Sequence, residues 1–386
     1  MKRVLLVCKE PFLDKIPNLM AIIRNLSGRG VSTDIVSVVN EEYLVPSVSQ
    51  LPGVSFHGFR LGEKRFGMPS SVTLTMDVVK MMSANLLRSK RYDCVIGTGL
   101  YGNAIAWLVS RLFGVRYVNH CLEYPTFSNM GCDDYGYKDV MYNRFVMGGA
   151  DLILTFDDAH IDLISEKLGI PRDVFMILPN ATTGEAHTVK SRSLREIKGV
   201  DPAKVLILHA GGLGIWFDSA DLARLAASWQ EKFLLVFHTS HDSGNDPYSL
   251  RMRAQEYHGR VAFSTQPVPS ERFDEFVSSA DIGLAWYNRA ELGYRCEYMG
   301  MAAGKIGNYL KCGIPVITNN FPSIAAYIDR YQCGICVEHM EDIEAAIERI
   351  MSRYDEYRDN AFRCYREMWQ LDRYLPGVYD ALVGGN

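Results

Sequence analysis

The stretch from Ala302 to Thr318, AAGKIGNYLKCGIPVIT, passes directly from a helical pattern into a strand pattern. Its first half places apolar side chains at helical spacing on one face, namely Ile306, Tyr309 and Leu310. Gly313 is suited to end this helix in the left-handed conformation, and Pro315 prevents its continuation. The β-branched run at 316–318 then predicts a buried strand. A short helix that leads at once into a buried strand constrains this region to an α/β fold.

Polar residues lie at the predicted start of this helix. Gly304 precedes Lys305, and Asn308 follows three residues later on the same face. A helix N-terminus carries free N–H groups and a partial positive charge, so a lysine there favours a bound phosphate or diphosphate. Asn308 adds a donor and an acceptor suited to a ribose or a base. The three residues are candidate nucleotide-binding residues, although an ordinary amphipathic helix that ends at glycine shows the same pattern.

The rest of the chain alternates strand patterns with helical patterns. Its length of 386 residues suggests two domains, each large enough to bury its own core. Both halves show the alternation of a doubly wound parallel sheet. We expect an α/β protein with two Rossmann-like domains, 1–185 and 200–360, separated by a polar linker from Thr182 to Pro202. The predicted strands are 3–8, 33–39, 54–59, 92–97, 115–119, 151–156, 174–178, 204–209, 234–239, 261–264, 281–287, 316–318 and 334–337.

Composition and charge exclude several classes of protein. The formal net charge of −4 argues against a dedicated nucleic-acid binder. The nine cysteines are odd in number and scattered, which favours a reducing compartment. Residues 1–12 read as a first strand rather than a signal peptide, and no run reaches the ~18 apolar residues of a membrane span. We therefore expect a cytoplasmic protein.

Basic residues cluster at the end of a long amphipathic helix predicted at 71–89. Arg88, Lys90 and Arg91 are suited to contact an anionic bilayer, which would make the protein peripheral at the inner face of the cell membrane. The alternative is that these cations only complement the helix dipole.

Glycines and aromatic or imidazole side chains follow the strands of the second half. A glycine-rich turn, where backbone N–H groups can approach a diphosphate, follows residues 204–209: Gly211, Gly212, Leu213 and Gly214. His238 lies at the end of the next strand, and Tyr287 begins a loop after 281–287. Ligands of open α/β sheets bind at the carboxyl ends of the strands, so we expect these residues around one nucleotide. His238 and His241 could ligate a metal, but no further ligand set is recognisable and no metal is expected.

Three segments, 117–125, 205–214 and 302–318, carry a resemblance to a known family. The motif K-x-x-x-Y-L-x-x-G-x-P-V, which starts at Lys305, and the stretch YVNHCLEYP resemble GT-B glycosyltransferases. The nearest types are family 4 and the related glucuronosyltransferases of exopolysaccharide synthesis. The resemblance implies two Rossmann-like domains facing a cleft, with a UDP- or GDP-sugar on the C-terminal domain. It also implies a glycan or lipid-linked acceptor on the N-terminal domain, and a C-terminal helix within 361–386 that packs back on that domain.

The sequence departs from the family 4 pattern at three places. Asn308 stands where family 4 has a glutamate, and Gly300 stands where a second glutamate faces the sugar. The glucuronosyltransferase-like variant has lysine followed by an amide, which fits this chain better. Residues 215–218, IWFD, replace the usual Arg and Lys after the glycine loop, so Lys305 would supply the cation. No Asp-x-Asp occurs, which favours a metal-independent hexosyl transfer without a cofactor.

The resemblance also assigns roles in the first half. His120 and Glu123 follow strand five, where Glu123 would be the general base of an inverting transfer and His120 the sugar-facing group of a retaining one. Lys9, Glu10 and Gly99 end the first and fourth strands and are expected on the acceptor side. The alternative for the first pair is a satisfied loop histidine and a solvated glutamate.

Other functions stay open from the residues alone. A GT-B-like sugar-nucleotide epimerase would need acidic residues from both domains, and a second one in register is not identifiable. A nicotinamide-dependent oxidoreductase would need G-x-G-x-x-G, but Phe217 stands at the third glycine counted from Gly212. A non-catalytic nucleotide-sugar binding protein remains compatible with the missing glutamates.

Overall fold

The chain folds into two units, and each unit contains one parallel β-sheet. The computed structural model describes residues 2–10, 13–39, 47–60, 70–87, 91–122, 137–239 and 246–384. Unit 1 comprises Met1–Thr183 and Leu371–Asn386, and unit 2 comprises Gly184–Gln370. The α/β fold class with two Rossmann-like sheets is confirmed. No helix in the described ranges is both long and apolar enough to cross a bilayer.

Unit 1 contains a seven-stranded parallel sheet in the order β3-β2-β1-β4-β5-β6-β7. Its strands are β1 (Arg3–Cys8), β2 (Ser32–Val39), β3 (Val54–Arg60), β4 (Cys94–Thr98), β5 (Arg116–His120), β6 (Leu152–Thr155) and β7 (Phe175–Ile177). Its first helices are α1 (Pro17–Gly28), α2 (Ser70–Leu87), α3 (Gly99–Phe113), α4 (Tyr137–Met141) and α5 (Asp158–Leu168). The strand order reverses between β1 and β4, where a doubly wound sheet opens a crevice at its carboxyl edge.

Unit 2 contains a six-stranded parallel sheet in the order β10-β9-β8-β11-β12-β13. Its strands are β8 (Val205–Ala210), β9 (Phe233–His238), β10 (Val261–Ser264), β11 (Ile282–Ala285), β12 (Val316–Asn319) and β13 (Gly334–Val337). Its helices are α6 (Ser193–Lys198), α7 (Ser219–Ala226), α8 (Pro247–Arg253), α9 (Phe273–Val277), α10 (Arg289–Leu292), α11 (Gly304–Lys311), α12 (Pro322–Tyr331), α13 (Ile343–Ser352) and α14 (Tyr354–Cys364). The strand order reverses between β8 and β11.

The segment that we assigned to a linker, Thr182 to Pro202, forms part of unit 2 from residue 184 onward. Two cations of this segment form ion pairs with Asp281, which lies at the amino end of β11. The guanidinium of Arg195 pairs with this carboxylate and donates to the carbonyl of Lys204 at 3.0 Å. Nζ of Lys190 lies 3.0 Å from the same carboxylate. The polar residues of this segment therefore include partners in ion pairs with the sheet of unit 2, and their composition does not by itself indicate a linker between domains.

The C-terminal segment divides between the units. Residues 361–370 belong to unit 2, where the fully buried Trp369 packs against Gly307 of α11. The final helix α15 (Leu375–Tyr379) lies against α1 in unit 1, where the Arg29 guanidinium is 4.2 Å from the Tyr379 ring centre. Within the segment 361–386, the part that packs in unit 1 therefore begins at residue 371.

Helix α11 ends at Lys311, just before the glycine that the sequence predicts as its terminator. Cys312 follows the last helical residue, and Gly313 adopts φ +64° in the left-handed region. The Phe362 ring leaves no room for a Cβ at Gly313, because such an atom would lie 2.3 Å from it. Both backbone conformation and packing therefore require glycine at this position.

Candidate functional site

The carboxyl ends of β8 and β11 meet at the switch point of the unit 2 sheet. Tyr309, on α11, ties the helix to both strands, since its hydroxyl accepts from the N–H of Ala210 at 2.8 Å and donates to the carbonyl of Leu284 at 3.4 Å. Gly283 allows this approach, because a Cβ there would lie 2.3 Å from the Tyr309 ring. The start of α11 is thereby held at the place where ligands of doubly wound sheets bind.

Lys305 lies in an enclosure made by three aromatic or imidazole rings. Its Nζ is 4.1 Å from the Phe217 ring centre, 4.9 Å from that of Tyr287 and 3.4 Å from Nε2 of His209. The surrounding rings remove water from the ammonium group, and this desolvation lowers the pKa of Lys305 to about 7. Burial, and secondarily the charge of Lys305, lower the pKa of His209 well below its usual value. His209 is therefore neutral, and its Nε2 can accept a hydrogen bond from the ammonium.

The glycine loop lies directly against this lysine. Gly211 adopts φ +144°, and its N–H donates to the carbonyl of His238 at 2.9 Å. A Cβ at Gly211 would lie 3.5 Å from both Cε and Nζ of Lys305. Gly212 lies beside the Phe217 ring, and the N–H of Gly214 donates to Oγ of Ser219 at 3.2 Å. Leu213 packs partly buried against the unit 2 core. The loop backbone and the cation therefore face the same space.

A hydrogen-bonded turn fixes the residues after the glycines. Asp218 adopts φ +45° before α7, and its carboxylate accepts from Nε1 of Trp286 at 3.2 Å and from Nδ2 of Asn288 at 2.5 Å. The N–H of Asn288 also donates to the carbonyl of Trp216 at 2.8 Å. Burial raises the pKa of Asp218. These bonds connect the loops after β8 and β11, and so position Phe217 against Lys305.

The N-terminal end of α11 offers backbone donors. Ala303 precedes the helix and provides no side-chain cap, so the first N–H groups lack that usual partner. Gly304 begins the helix, and both it and Asn308 are partly exposed. Tyr287 is held by Asn319 at the end of β12, whose amide accepts from the Tyr287 N–H at 2.8 Å and donates to its carbonyl at 3.1 Å.

His238 supports the loop through its carbonyl, while its side chain packs elsewhere. Its Nδ1 lies 3.1 Å from Oγ of Ser264, and its ring centre is 4.3 Å from that of Phe276. Burial lowers the pKa of His238 to about 4, so the ring is neutral. His241 lies outside the described residues, and within them no group of three or more His, Cys, Asp or Glu is arranged to hold a metal ion.

The sequence contains a Cys-x-x-Cys spacing, Cys333 to Cys336, that our sequence analysis did not recognise. Both thiols are free, and only Cys336 is partly exposed. The Cys333 thiol shares a hydrogen bond with that of Cys364, which raises the pKa of Cys364. These thiols lie in and beside β13, and we assign them no chemistry.

Unit 1 brings together polar residues at its own switch point. Nδ1 of His120 lies 2.5 Å from Oγ1 of Thr98, and burial lowers the His120 pKa to about 4. Gly99 adopts φ +66° beside the Glu10 side chain, whose Oε1 would lie 3.1 Å from a Cβ at Gly99. The ammonium of Lys9 is 3.6 Å from the Tyr101 ring centre. Glu123 lies outside the described residues.

Sequence reasoning missed His209, Phe217 and Asp218 in unit 2. The stretch 215–218 was interpreted only as the loss of an arginine and a lysine. A strand-end histidine and an aromatic side chain in the glycine turn were the available signals, but their spacing does not reveal that both face Lys305.

Comparisons with known proteins agree with this organisation. Residues 17–181 match a family model described as a glycosyl transferase 4-like domain, and residues 219–370 match one described as a glucosyltransferase 3-like C-terminal domain. No curated protein sequence matches the chain.

Several solved structures share the fold. HepE of Anabaena, in complex with UDP and glucose, has a TM-score of 0.73 at 12% identity, with 99% of each chain covered. Sucrose-phosphate synthase of Thermosynechococcus elongatus has a TM-score of 0.77 at 12% identity, covering 99% of this chain and 98% of that chain. WaaG, a glycosyltransferase of lipopolysaccharide biosynthesis, has a TM-score of 0.63 at 14% identity, with both chains covered completely (100%). At these identities the likeness shows the fold.

Proposed function

We propose that this chain is a nucleotide-sugar glycosyltransferase of the GT-B fold that takes a hexose from a UDP-sugar without a metal ion. In the proposal the donor lies at the switch point of the unit 2 sheet, with its diphosphate against Lys305. Anabaena HepE, which shares the fold, has been solved with UDP and with UDP-glucose, which supports uridine as the nucleoside.

The observation that carries the proposal is the enclosure of Lys305 by His209, Phe217 and Tyr287. An ammonium group with a pKa of about 7 is poorly solvated, so a diphosphate gives it the charge partner that water does not supply. The uncapped start of α11 and the glycine loop add backbone N–H donors beside it. Together these groups suit an anion with several oxygens better than a single carboxylate.

The same groups would serve the chemistry. When the glycosidic bond to the donor breaks, negative charge develops on the departing diphosphate, and preorganised donors stabilise that charge. Lys305 and the α11 N-terminus thus take the place that a divalent cation holds in metal-dependent transfer. The absence of Asp-x-Asp from the sequence agrees with this assignment.

We infer that the acceptor is a glycan or a lipid-linked sugar and that unit 1 binds it. Lys9, Glu10 and Gly99 gather at the switch point of that unit beside the buried His120, and they offer charged and polar groups for hydroxyl recognition. Glu123 is the candidate base if the enzyme inverts the anomeric centre, and His120 the candidate sugar-facing group if it retains it.

A nucleotide panel tests the donor assignment. The purified protein is titrated by calorimetry with UDP, GDP, CDP and dTDP and then with the matching hexose derivatives, with EDTA present throughout. The proposal expects tightest binding for UDP and slow hydrolysis of one UDP-hexose in EDTA. Preference for another nucleotide contradicts the uridine assignment, and a strict need for a divalent metal contradicts metal independence. Binding without any turnover would favour a non-catalytic nucleotide-sugar binding protein.

A further inference from the structure

The exposed apolar side chains of the protein concentrate on one part of unit 1. Among residues whose side chains the structure describes, fourteen large hydrophobic residues are exposed, and nine of them lie on α2, α3 and the helical segment 137–147. We call the exposed side of these three elements the outer helical face. The face includes Val72, Met76, Leu108, Leu112, Met141 and Phe145. Leu112 is 61% exposed, the largest exposed fraction on this face.

The three elements form one layer on the same side of the sheet. Their opposite sides enter a single core cluster through Leu74 and Val78 of α2, Val109 of α3 and Val146. The Trp107 and Phe145 rings lie 6.3 Å apart between α3 and the segment 137–147. Since the inner sides pack on the sheet, the six exposed side chains named above point away from it and share one surface, whereas Tyr101, at the start of α3, lies against Lys9.

Spacing along the helices supports a continuous surface. In α2, Val72 and Met76 lie one turn apart, and the buried Leu74 and Val78 occupy the other side. In α3, Leu108 and Leu112 repeat this spacing. Each helix is therefore apolar on its inner side and also on part of its outer side, which an isolated surface helix of a soluble enzyme does not require.

The charges on the outer helical face are mainly positive. The described residues of these elements carry four cations, Lys80, Arg111, Lys138 and Arg144, and two carboxylates, Asp77 and Asp139, for a formal charge of +2. The chain as a whole carries −4. All four cations are exposed next to the apolar positions. A positive, partly apolar surface is thus present on a negative protein.

We propose that the outer helical face docks peripherally on an anionic lipid bilayer. The apolar side chains would enter the boundary between headgroups and acyl chains, while the cations contact lipid phosphates. Charge complementarity favours an anionic bilayer over a second copy of the chain, because a contact between two copies through this face would bring like charges together. This inference goes beyond the proposed donor chemistry and does not depend on it.

Vesicle co-sedimentation tests the proposal with the full chain. Wild-type protein is mixed at low salt with vesicles of phosphatidylcholine alone or of phosphatidylcholine with phosphatidylglycerol, and then at rising salt. We expect binding only to the anionic vesicles, falling as salt screens the charges. The variant Leu108→Glu/Leu112→Glu/Phe145→Glu should lose at least tenfold in vesicle affinity, and Lys138→Glu/Arg144→Glu should lose a similar factor. A matched control, Val189→Glu/Ile197→Glu, changes two exposed apolar residues of unit 2 and should bind as wild type.

Folding and function are followed in the same samples. Circular dichroism and UDP-hexose affinity should match wild type in every variant, so a failure of the bilayer inference is distinguishable from a failure of the donor assignment. The inference is overturned if wild type does not bind anionic vesicles at low salt, if neutral vesicles bind equally well, or if the unit 2 control loses as much. It is also overturned if light scattering shows a wild-type dimer that the triple variant abolishes, because a second copy then covers this face.

Discussion

Nζ of Lys305 lies 3.4 Å from Nε2 of the buried His209, so two groups that are both cationic when protonated share one enclosure. Burial and the charge of Lys305 depress the His209 pKa, and desolvation depresses that of Lys305 to about 7. The site therefore holds at most one proton charge at neutral pH, and a bound anion stabilises that charge.

Removal of the ammonium should weaken donor binding. Lys305→Ala is expected to lower UDP affinity by about 1.5–3 kcal/mol, the usual contribution of a hydrogen bond to a charged group. Calorimetry measures the change. Lys232→Ala, a lysine elsewhere in unit 2 with a half-exposed side chain, is the matched control and should bind as wild type. Equal affinity in a folded Lys305→Ala would remove Lys305 from the site.

Donor binding should take up a proton above pH 7. The free enzyme loses the Lys305 proton as pH rises through about 7, whereas a bound diphosphate raises the pKa and keeps the ammonium charged. Affinity for a UDP-hexose should therefore be greatest below pH 7 and fall by about tenfold per pH unit above it, as long as the bound lysine stays protonated. Calorimetry in buffers of different ionisation enthalpy measures the uptake.

Arginine in place of Lys305 provides the control for the predicted proton uptake. Lys305→Arg stays charged across the range, so any affinity that it retains should be independent of pH between 7 and 9 and show no proton uptake. A pH-independent wild type would contradict the assignment of the low pKa to the free enzyme.

The Phe217 ring should raise the pKa of Lys305 by stabilising its charged form. Its face attracts the ammonium of Lys305, a contribution of about 0.5–2 kcal/mol for a cation over an aromatic ring. Phe217→Leu keeps an apolar side chain but loses this attraction, so the pKa of Lys305 should fall further and the affinity curve should move to lower pH. Phe217→Tyr keeps the ring and should leave the curve in place. A leucine variant with an unshifted curve would show that the ring only fills space.

Glu123 should be needed for turnover but not for donor binding on the inverting branch. Glu123→Gln is expected to bind UDP-hexose normally and to lose about 10²–10⁴ in turnover, the usual contribution of general base catalysis. Glu166→Gln, an exposed glutamate of α5, serves as the control. Near-normal turnover would reject Glu123 as the base, and NMR of the anomeric configuration in the product then decides whether His120 faces the sugar in a retaining reaction.

Gly307 should be essential for the packing of α11. A Cβ there would lie 2.4 Å from the buried Trp369 ring, so Gly307→Ala is expected to destabilise unit 2 by about 1–3 kcal/mol through overpacking. Gly28→Ala places the same methyl group at a helical glycine with nothing within 4 Å, and should leave stability unchanged or raise it slightly. Urea denaturation compares the two variants, and equal stabilities would contradict the close contact.

Local sequence patterns are sufficient to predict the helices and strands and the functional groups of α11. Continuous apolar runs mark the inner strands, which are buried on both faces, and all thirteen strands appear where they were predicted, with ends shifted by a few residues. The end of α11 at Gly313 and the place of Lys305 in its first turn follow from local rules of helix termination and spacing. Such features depend on neighbours a few residues away, so the chain order is sufficient to find them.

Which side chains share a site follows from the packing of distant segments. His209, Phe217, Tyr287 and Lys305 come from three separate segments, and the placement of β8 beside β11 brings them together. The direction of a side chain at a strand end is likewise decided by its neighbours: that of His238 packs against Phe276, although the sequence predicted it at the nucleotide. Strand order and side-chain packing depend on contacts between distant segments, and the spacing of residues along the chain does not encode those contacts in a readable form.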